Sequence, residues 1–160
     1  MPKIPHHAFK NEYPHFPRRL TTEAKIFDSP FGAMKTGIKV FALWDTGATG
    51  SAITPNVVQK LSLKPFNRVP VSGVNNTSEA DVVKISIGLP NLVKVEDVNA
   101  MVCDLGGGID LIIGMDIILL GDFSISNGNG KTLFSFAMPP FENKADLYEK
   151  ALAVNKRNKK

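Results

Sequence analysis

Apolar positions in the run IKVFALW, Ile38 to Trp44, are β-branched or aromatic and almost uninterrupted in its second half. This predicts a strand buried on both faces that stops abruptly at Asp45. In TPNVVQKLSL the period changes to helical, with Val57, Val58 and Leu61 on one side, Thr54 placed to cap and Pro55 at the first helical position. The spacing predicts a short amphipathic helix. In NRVPVSGVNNTSEADVVKISIGL two strands are expected around a turn at 73–77, because Gly and Asn tolerate the positive φ of a tight turn. Val83, Ile85, Ile87 and Leu89 alternate cleanly.

NLVKVEDVNAMVCD adds a strand or two, and three glycines at 106–108 interrupt the chain before IDLIIGMDIILLGDF. There Leu111 to Ile113 reads as a short buried strand and Asp116 as the start of a brief helix. FSISNGNGKTLFSF reads as a hairpin around an Asn/Gly turn. The segment PPFENKADLYEKALAV predicts a terminal helix with Phe141, Leu147, Ala151 and Val154 near one face. Residues 1–20 carry Pro2, Pro5, Pro14 and Pro17 without periodicity, and so read as an extended, solvated arm. No repeat with a period of 20 to 50 residues is present. The organisation expected is an arm (1–20), one mostly β domain (21–138), and a helix with a basic tail (139–160).

Composition narrows this picture. At 160 residues and 43% hydrophobic content, the chain can bury an ordinary single-domain core. The net charge of +4 suggests nucleic acid until it is divided along the chain. The last ten residues hold four bases and no acid, residues 1–25 hold five bases and two acids, and the stretch between carries a net −3. Basic character therefore belongs to the ends, and no nucleic-acid partner is expected. The lone Cys103 rules out an internal disulfide framework and fits a reducing compartment. The start has no continuous apolar core of a secretory signal. Asp110 and Asp116 interrupt the longest apolar stretch, which is far short of the roughly 20 residues a membrane span needs. A soluble, cytoplasmic protein with no membrane association is expected.

Several motifs dissolve on inspection. SNGNGKT has Ile125 where the phosphate-binding pattern G-x-x-x-x-G-K-[ST] needs Gly, and a strand-like segment follows where a helix belongs. His6, His7 and His15 have no acid or Cys at ligand spacing, so no metal or cofactor is expected. Cys103 reads as a small core side chain. Asp45 is different. A carboxylate at the end of a buried strand costs several kcal/mol, of order, unless it is hydrogen-bonded or shares a proton. The Thr46 hydroxyl and the N–H groups of Gly47 and Ala48 are local donors that offset this cost. Perturbed carboxylates in such places cluster at functional sites, and Asp45 is the candidate acid.

FALW-DTGAT, followed roughly sixty residues later by LIIGMD, resembles the retropepsin family: the single-domain, retroviral-type aspartic proteases with their bacterial and retrotransposon relatives. The resemblance runs from Ile38 to Phe136 in the order catalytic loop, helix, flap hairpin, strands, I-I-G turn and short helix. It implies an all-β, closed barrel-like acid-protease fold, with short helices after the catalytic loop and the I-I-G turn, and a C-terminal helix. In such enzymes two carboxylates hold one proton between them and activate water against a peptide bond.

This chain carries only one D-[ST]-G, whereas pepsin-like enzymes hold two in a chain about twice as long. The resemblance therefore implies a homodimer with the two-fold axis between two copies of Asp45, acting on a peptide or protein in extended conformation. By the same resemblance Asp45, Thr46 and Gly47 are catalytic, with Thr46 bonding across the axis. Ala48, Val71, Ser72, Gly73, Val74, Asn75 and Ile113 contact substrate, residues 69–79 forming the flap, and Ile112 and Gly114 support the catalytic loop. Departures are Met115, where retroviral members usually have Arg, and a flap tip with one Gly where they have several. The other reading is a dimeric peptide-binding module that keeps the fold without cleavage.

Overall fold

The computed structural model describes residues 4–28, 37–72 and 77–158. Ten strands occur there: β1 His7–Tyr13, β2 Leu20–Asp28, β3 Ile38–Trp44, β4 Ala52–Ile53, β5 Asn67–Ser72, β6 Thr77–Gly88, β7 Lys94–Val102, β8 Leu111–Ile113, β9 Asp122–Gly128 and β10 Lys131–Met138. The helices are α1 Pro55–Leu61, α2 Met115–Ile118 and α3 Leu147–Arg157, and a 3-10 turn spans Pro90–Leu92. Among the described residues no helix is long and apolar enough to cross a membrane.

Six strands close into a barrel. Going round, β2, β3, β8, β4, β7 and β6 each pair with the next, and β6 returns to β2. The first half of the long β6 carries β5 as a hairpin partner, and its second half pairs with β2 through Lys25↔Gly88 and Ile26↔Ile87. Alternation on these strands points Ile26, Ala42, Ile53, Val83, Ile85, Ile87, Leu111 and Ile113 inward, all with essentially no exposed surface. Burying an aliphatic side chain of this size stabilises by about 1.5–3 kcal/mol.

The expectation that β3 is buried on both faces is corrected. Val40, Ala42 and Trp44 are buried, whereas Phe41, on the other face, is 56% exposed. A barrel strand here has only one covered side, so an apolar outward residue stays in water. α1 begins where Pro55 predicts, but Thr54 makes no side-chain cap. Its hydroxyl donates instead to Asp110 Oδ1 at 3.0 Å. α2 starts at Met115, one residue earlier than expected, and 94–102 form a single strand.

A second, three-stranded sheet has the order β1-β10-β9. Its hairpin turns on Asn129 and Gly130, both at positive φ (51° and 74°), as the Asn/Gly signal predicts. The arm expected to be solvated is corrected here: residues 7–13 pair along β10, with Phe9 opposite Phe136 and Tyr13 opposite Thr132. Phe9 is 6% exposed and joins Phe123, Phe134 and Phe136 around Trp44, whose ring centroid lies 4.9 Å from that of Phe136. Trp44 Nε1 donates to Thr22 Oγ1 at 3.1 Å, so its one polar atom is satisfied. The C-terminal helix is confined to α3. Asp146 caps it by accepting from Glu149 N–H at 3.0 Å, and none of its side chains is buried. Phe141 lies outside it and stacks on His6 at 4.6 Å between centroids.

Candidate active site

The loop 45–51 joins β3 to β4 and is held from behind by β8 and by α2, the helix that follows it. Parallel pairing sets Trp44 opposite Ile113, and the Asp45 N–H extends that ladder by donating to the Ile113 carbonyl at 3.0 Å. Beneath it, the aromatic cluster fixes the Trp44 end of β3. Asp45 is thus placed by two layers of structure while its carboxylate remains half-buried.

Within the loop, the Gly47 N–H donates to Asp45 Oδ1 at 2.8 Å, and the Ala48 N–H donates to the Asp45 backbone carbonyl at 3.2 Å. One of the two expected amide donors therefore serves the carboxylate and the other closes the turn. Thr46 and Gly47 are exposed, and Ala48 is half-buried. The Ala48 carbonyl accepts from Met115 N–H at 2.8 Å, and the Thr49 carbonyl from Asp116 N–H at 3.2 Å. Both bonds tie the loop to the start of α2.

Gly114 sits at the crossing of these segments. A Cβ there would stand 2.6 Å from the Gly50 carbonyl carbon, 2.7 Å from its oxygen and 2.9 Å from the Ala48 oxygen. Only a residue without a side chain lets the loop lie this close to β8. Its N–H donates to Ser51 Oγ at 3.2 Å.

The pair Ile112 and Ile113 divides differently from expectation. Ile113, assigned to substrate contact, has no exposed surface, whereas Ile112 is half-buried on the opposite face. Alternation along β8 sends Ile113 into the core, so Ile112 is the one of the two with accessible surface. Val71 is half-buried on β5, one position from the strand end, and Ser72 closes that strand opposite Thr77. Gly73, Val74 and Asn75 lie outside the described residues.

Two bridges were not anticipated. Ser51 donates through Oγ to Asp116 Oδ1 at 2.8 Å and through N–H to Oδ2 at 3.0 Å. Thr54 meets Asp110 by side chain and by backbone, at 3.0 and 3.2 Å. Together they clamp both ends of the two-residue β4 against β8. The signal available was a hydroxyl flanking each end of β4 and an acid flanking each end of β8, but nothing local couples residues so far apart in sequence. Among the described residues no group of three or more His, Cys, Asp and Glu is placed to hold a metal.

A closed barrel, a strand leading into the loop Asp45-Thr46-Gly47, and the Ile112-Ile113-Gly114 segment packed behind it define a retropepsin-like aspartic protease. The fold is similar to a retropepsin-like aspartic protease from Rickettsia conorii, with a TM-score of 0.51 and 16% identity over 86% of this chain and 99% of that one. It also matches the Simian Foamy Virus (mac) protease (TM-score 0.46, 17% identity, 62% of this chain and 92% of that one) and the EIAV protease complexed with the inhibitor HBY-793 (TM-score 0.45, 23% identity, 64% and 86%). Residues 32–117, more than half of the sequence, match the aspartyl protease family, and the chain belongs to that family. No curated protein sequence matches it.

Proposed function

We propose that the protein is a homodimeric aspartic endopeptidase whose site is completed by Asp45 from each of two copies. The observation that carries this reading is the mounting of Asp45. The loop is fixed from behind by Ile113, Gly114 and α2, yet Thr46 and Gly47 are exposed in a single chain. A half-buried carboxylate, anchored from behind and flanked by exposed Thr46 and Gly47, suits a site closed by a second, identical surface.

In that dimer two carboxylates about 3 Å apart cannot both ionise easily, so they hold one proton between them. The ionised member takes a proton from water, the protonated one polarises the scissile carbonyl, and the pair titrates as a unit. Thr46 bonds across the axis. The hairpin 69–79 closes over an extended peptide, with Val71 to Asn75 and Ala48 on the substrate side and Ile112 taking the place first given to Ile113. Gly47 admits the substrate backbone. A reducing, cytoplasmic setting fits the lone Cys103.

Cleavage of a peptide library by the wild type and by Asp45→Asn, from acidic to neutral pH, tests this. The variant should lose about 10²-fold or more in rate, the scale of acid–base catalysis. A wild-type dimer that cleaves nothing across that range would leave the non-proteolytic binding module as the reading. Sedimentation showing monomer alone at micromolar concentration would remove the shared site.

A further inference from the structure

A cavity of about 490 Å³ lies far from Asp45 on the outer wall of the barrel. The register sets it at the other end of β2 and β3. Leu20↔Trp44 is the pair beside Asp45, whereas Lys25↔Lys39 is the pair that lines the cavity. Lys39 and Asp45 are six residues apart along an extended chain, roughly 20 Å.

Continuing across the sheet from Lys25, the next pairs are Lys25↔Gly88 and Gly88↔Lys94. One row running over β3, β2, β6 and β7 therefore reads Lys, Lys, Gly, Lys, all on the exposed face. Like charges set directly opposite one another destabilise a sheet. Neither Lys25 nor Lys39 has an ion-pair partner among the described residues. Glu23, two residues along β2, is the single acid in the lining.

The gap in the row is apolar. The half-buried Phe27 ring lies over Gly88, where a Cβ would come within 3.4 Å of its edge. At the rim the chain turns through Asn91 and Leu92 at positive φ (58° and 64°), leaving Leu92 69% exposed. A side chain held in the left-handed region costs of order 1 kcal/mol or more, and here it presents an aliphatic group to the same cleft that the lysines surround. The volume falls within the range of small-molecule pockets, and apolar walls with a few convergent polar groups are their usual composition.

We propose that this cleft binds a small amphiphilic anion, a carboxylate or phosphate monoester on an alkyl chain. The head group sits between the Lys25 and Lys39 ammonium groups and the chain lies over Phe27 and Gly88 toward Leu92. The anion relieves the repulsion of the facing lysines, and charge-assisted bonds to two ammonium groups hold it. The cleft is a second binding site, independent of peptide cleavage.

The test is an NMR titration of the intact protein with decanoate and with octyl phosphate, with inorganic phosphate and octylammonium as controls. Both alkyl anions should shift the Lys25, Lys39 and Gly88 amides and saturate. Phosphate without a chain should bind at least about tenfold more weakly, and octylammonium should leave these amides unmoved. Lys25→Glu/Lys39→Glu should weaken decanoate by about tenfold or more, and Leu92→Ser by a few-fold, with the amide spectrum otherwise preserved. Should the double reversal perturb folding, Lys25→Gln/Lys39→Gln carries the same expectation. The proposal is overturned by octylammonium binding as well as decanoate, by phosphate alone matching the alkyl anions, by no saturable shift, or by undiminished affinity in a folded lysine variant.

Discussion

Ser51 and Asp116, 65 residues apart, are joined by two hydrogen bonds: Ser51 Oγ donates to Oδ1 at 2.8 Å and Ser51 N–H to Oδ2 at 3.0 Å. Ser51 is fully buried, and its hydroxyl also accepts from Gly114 N–H at 3.2 Å. The carboxylate is thus the sole described acceptor for two buried donors at the end of the Asp45 loop. Asp116→Ala leaves both unsatisfied, which costs about 1–3 kcal/mol. A urea midpoint for this variant lower by the corresponding amount is expected, with reduced peptide cleavage because the loop loses its anchor. A shift below about 0.5 kcal/mol, the scatter of ordinary surface changes, shows the bridge to be dispensable.

Gly114→Ala makes a sharper demand. The added methyl would meet backbone on three sides, Gly50 C at 2.6 Å, Gly50 O at 2.7 Å and Ala48 O at 2.9 Å, and backbone cannot rotate away as a side chain can. Overpacking of this kind costs about 1–3 kcal/mol or more. Thermal unfolding should show the loss, and the Asp45 loop should be displaced from β8. Retention of both wild-type stability and cleavage contradicts the close packing.

These relationships mark where sequence reasoning stops. The strand into Asp45, the Pro55 helix start, the Leu111–Ile113 strand and the Asn129–Gly130 hairpin were legible because each is written in adjacent residues. β1 was hidden by the prolines on either side of it, although Phe9, Asn11 and Tyr13 alternate between them. The barrel closure of β6 on β2 and the Ser51–Asp116 and Thr54–Asp110 clamps have no local signature, because the partners meet only after folding. Behind the Asp45 loop, the motif could not decide which isoleucine of the pair faces outward. That depends on the phase of β8 against β3, set by Trp44↔Ile113.

The first strand supplies its own test. Phe9 packs 5.9 Å from Phe134 and 6.0 Å from Trp44, centroid to centroid, in the cluster that seats the end of β3. Phe9→Ala removes a buried aromatic ring and should cost about 3–5 kcal/mol. Trp44 is the only tryptophan, so its fluorescence reports on this cluster directly, and the variant should show red-shifted emission in the native state. A solvated arm predicts no change in either quantity.

Cys103 follows β7, with its N–H bonded to the Ile53 carbonyl at 3.0 Å. Burial pushes its thiol pKa up, and the neighbouring Asp104 carboxylate adds to the shift. Both causes disfavour the thiolate in the folded state. A raised folded-state value contributes stability that is complete below the ordinary thiol range and is lost as pH rises through the folded value. Two measurements follow. Alkylation by iodoacetamide near pH 8 should be slower in the native protein than in urea, since only the thiolate reacts, and its pH profile should be displaced to higher pH. Asp104→Asn should move that profile part of the way back, because desolvation, the larger cause, remains. Native alkylation as fast as that of the unfolded chain at every pH contradicts the burial of the thiol, and an unmoved profile in Asp104→Asn removes the carboxylate from the account.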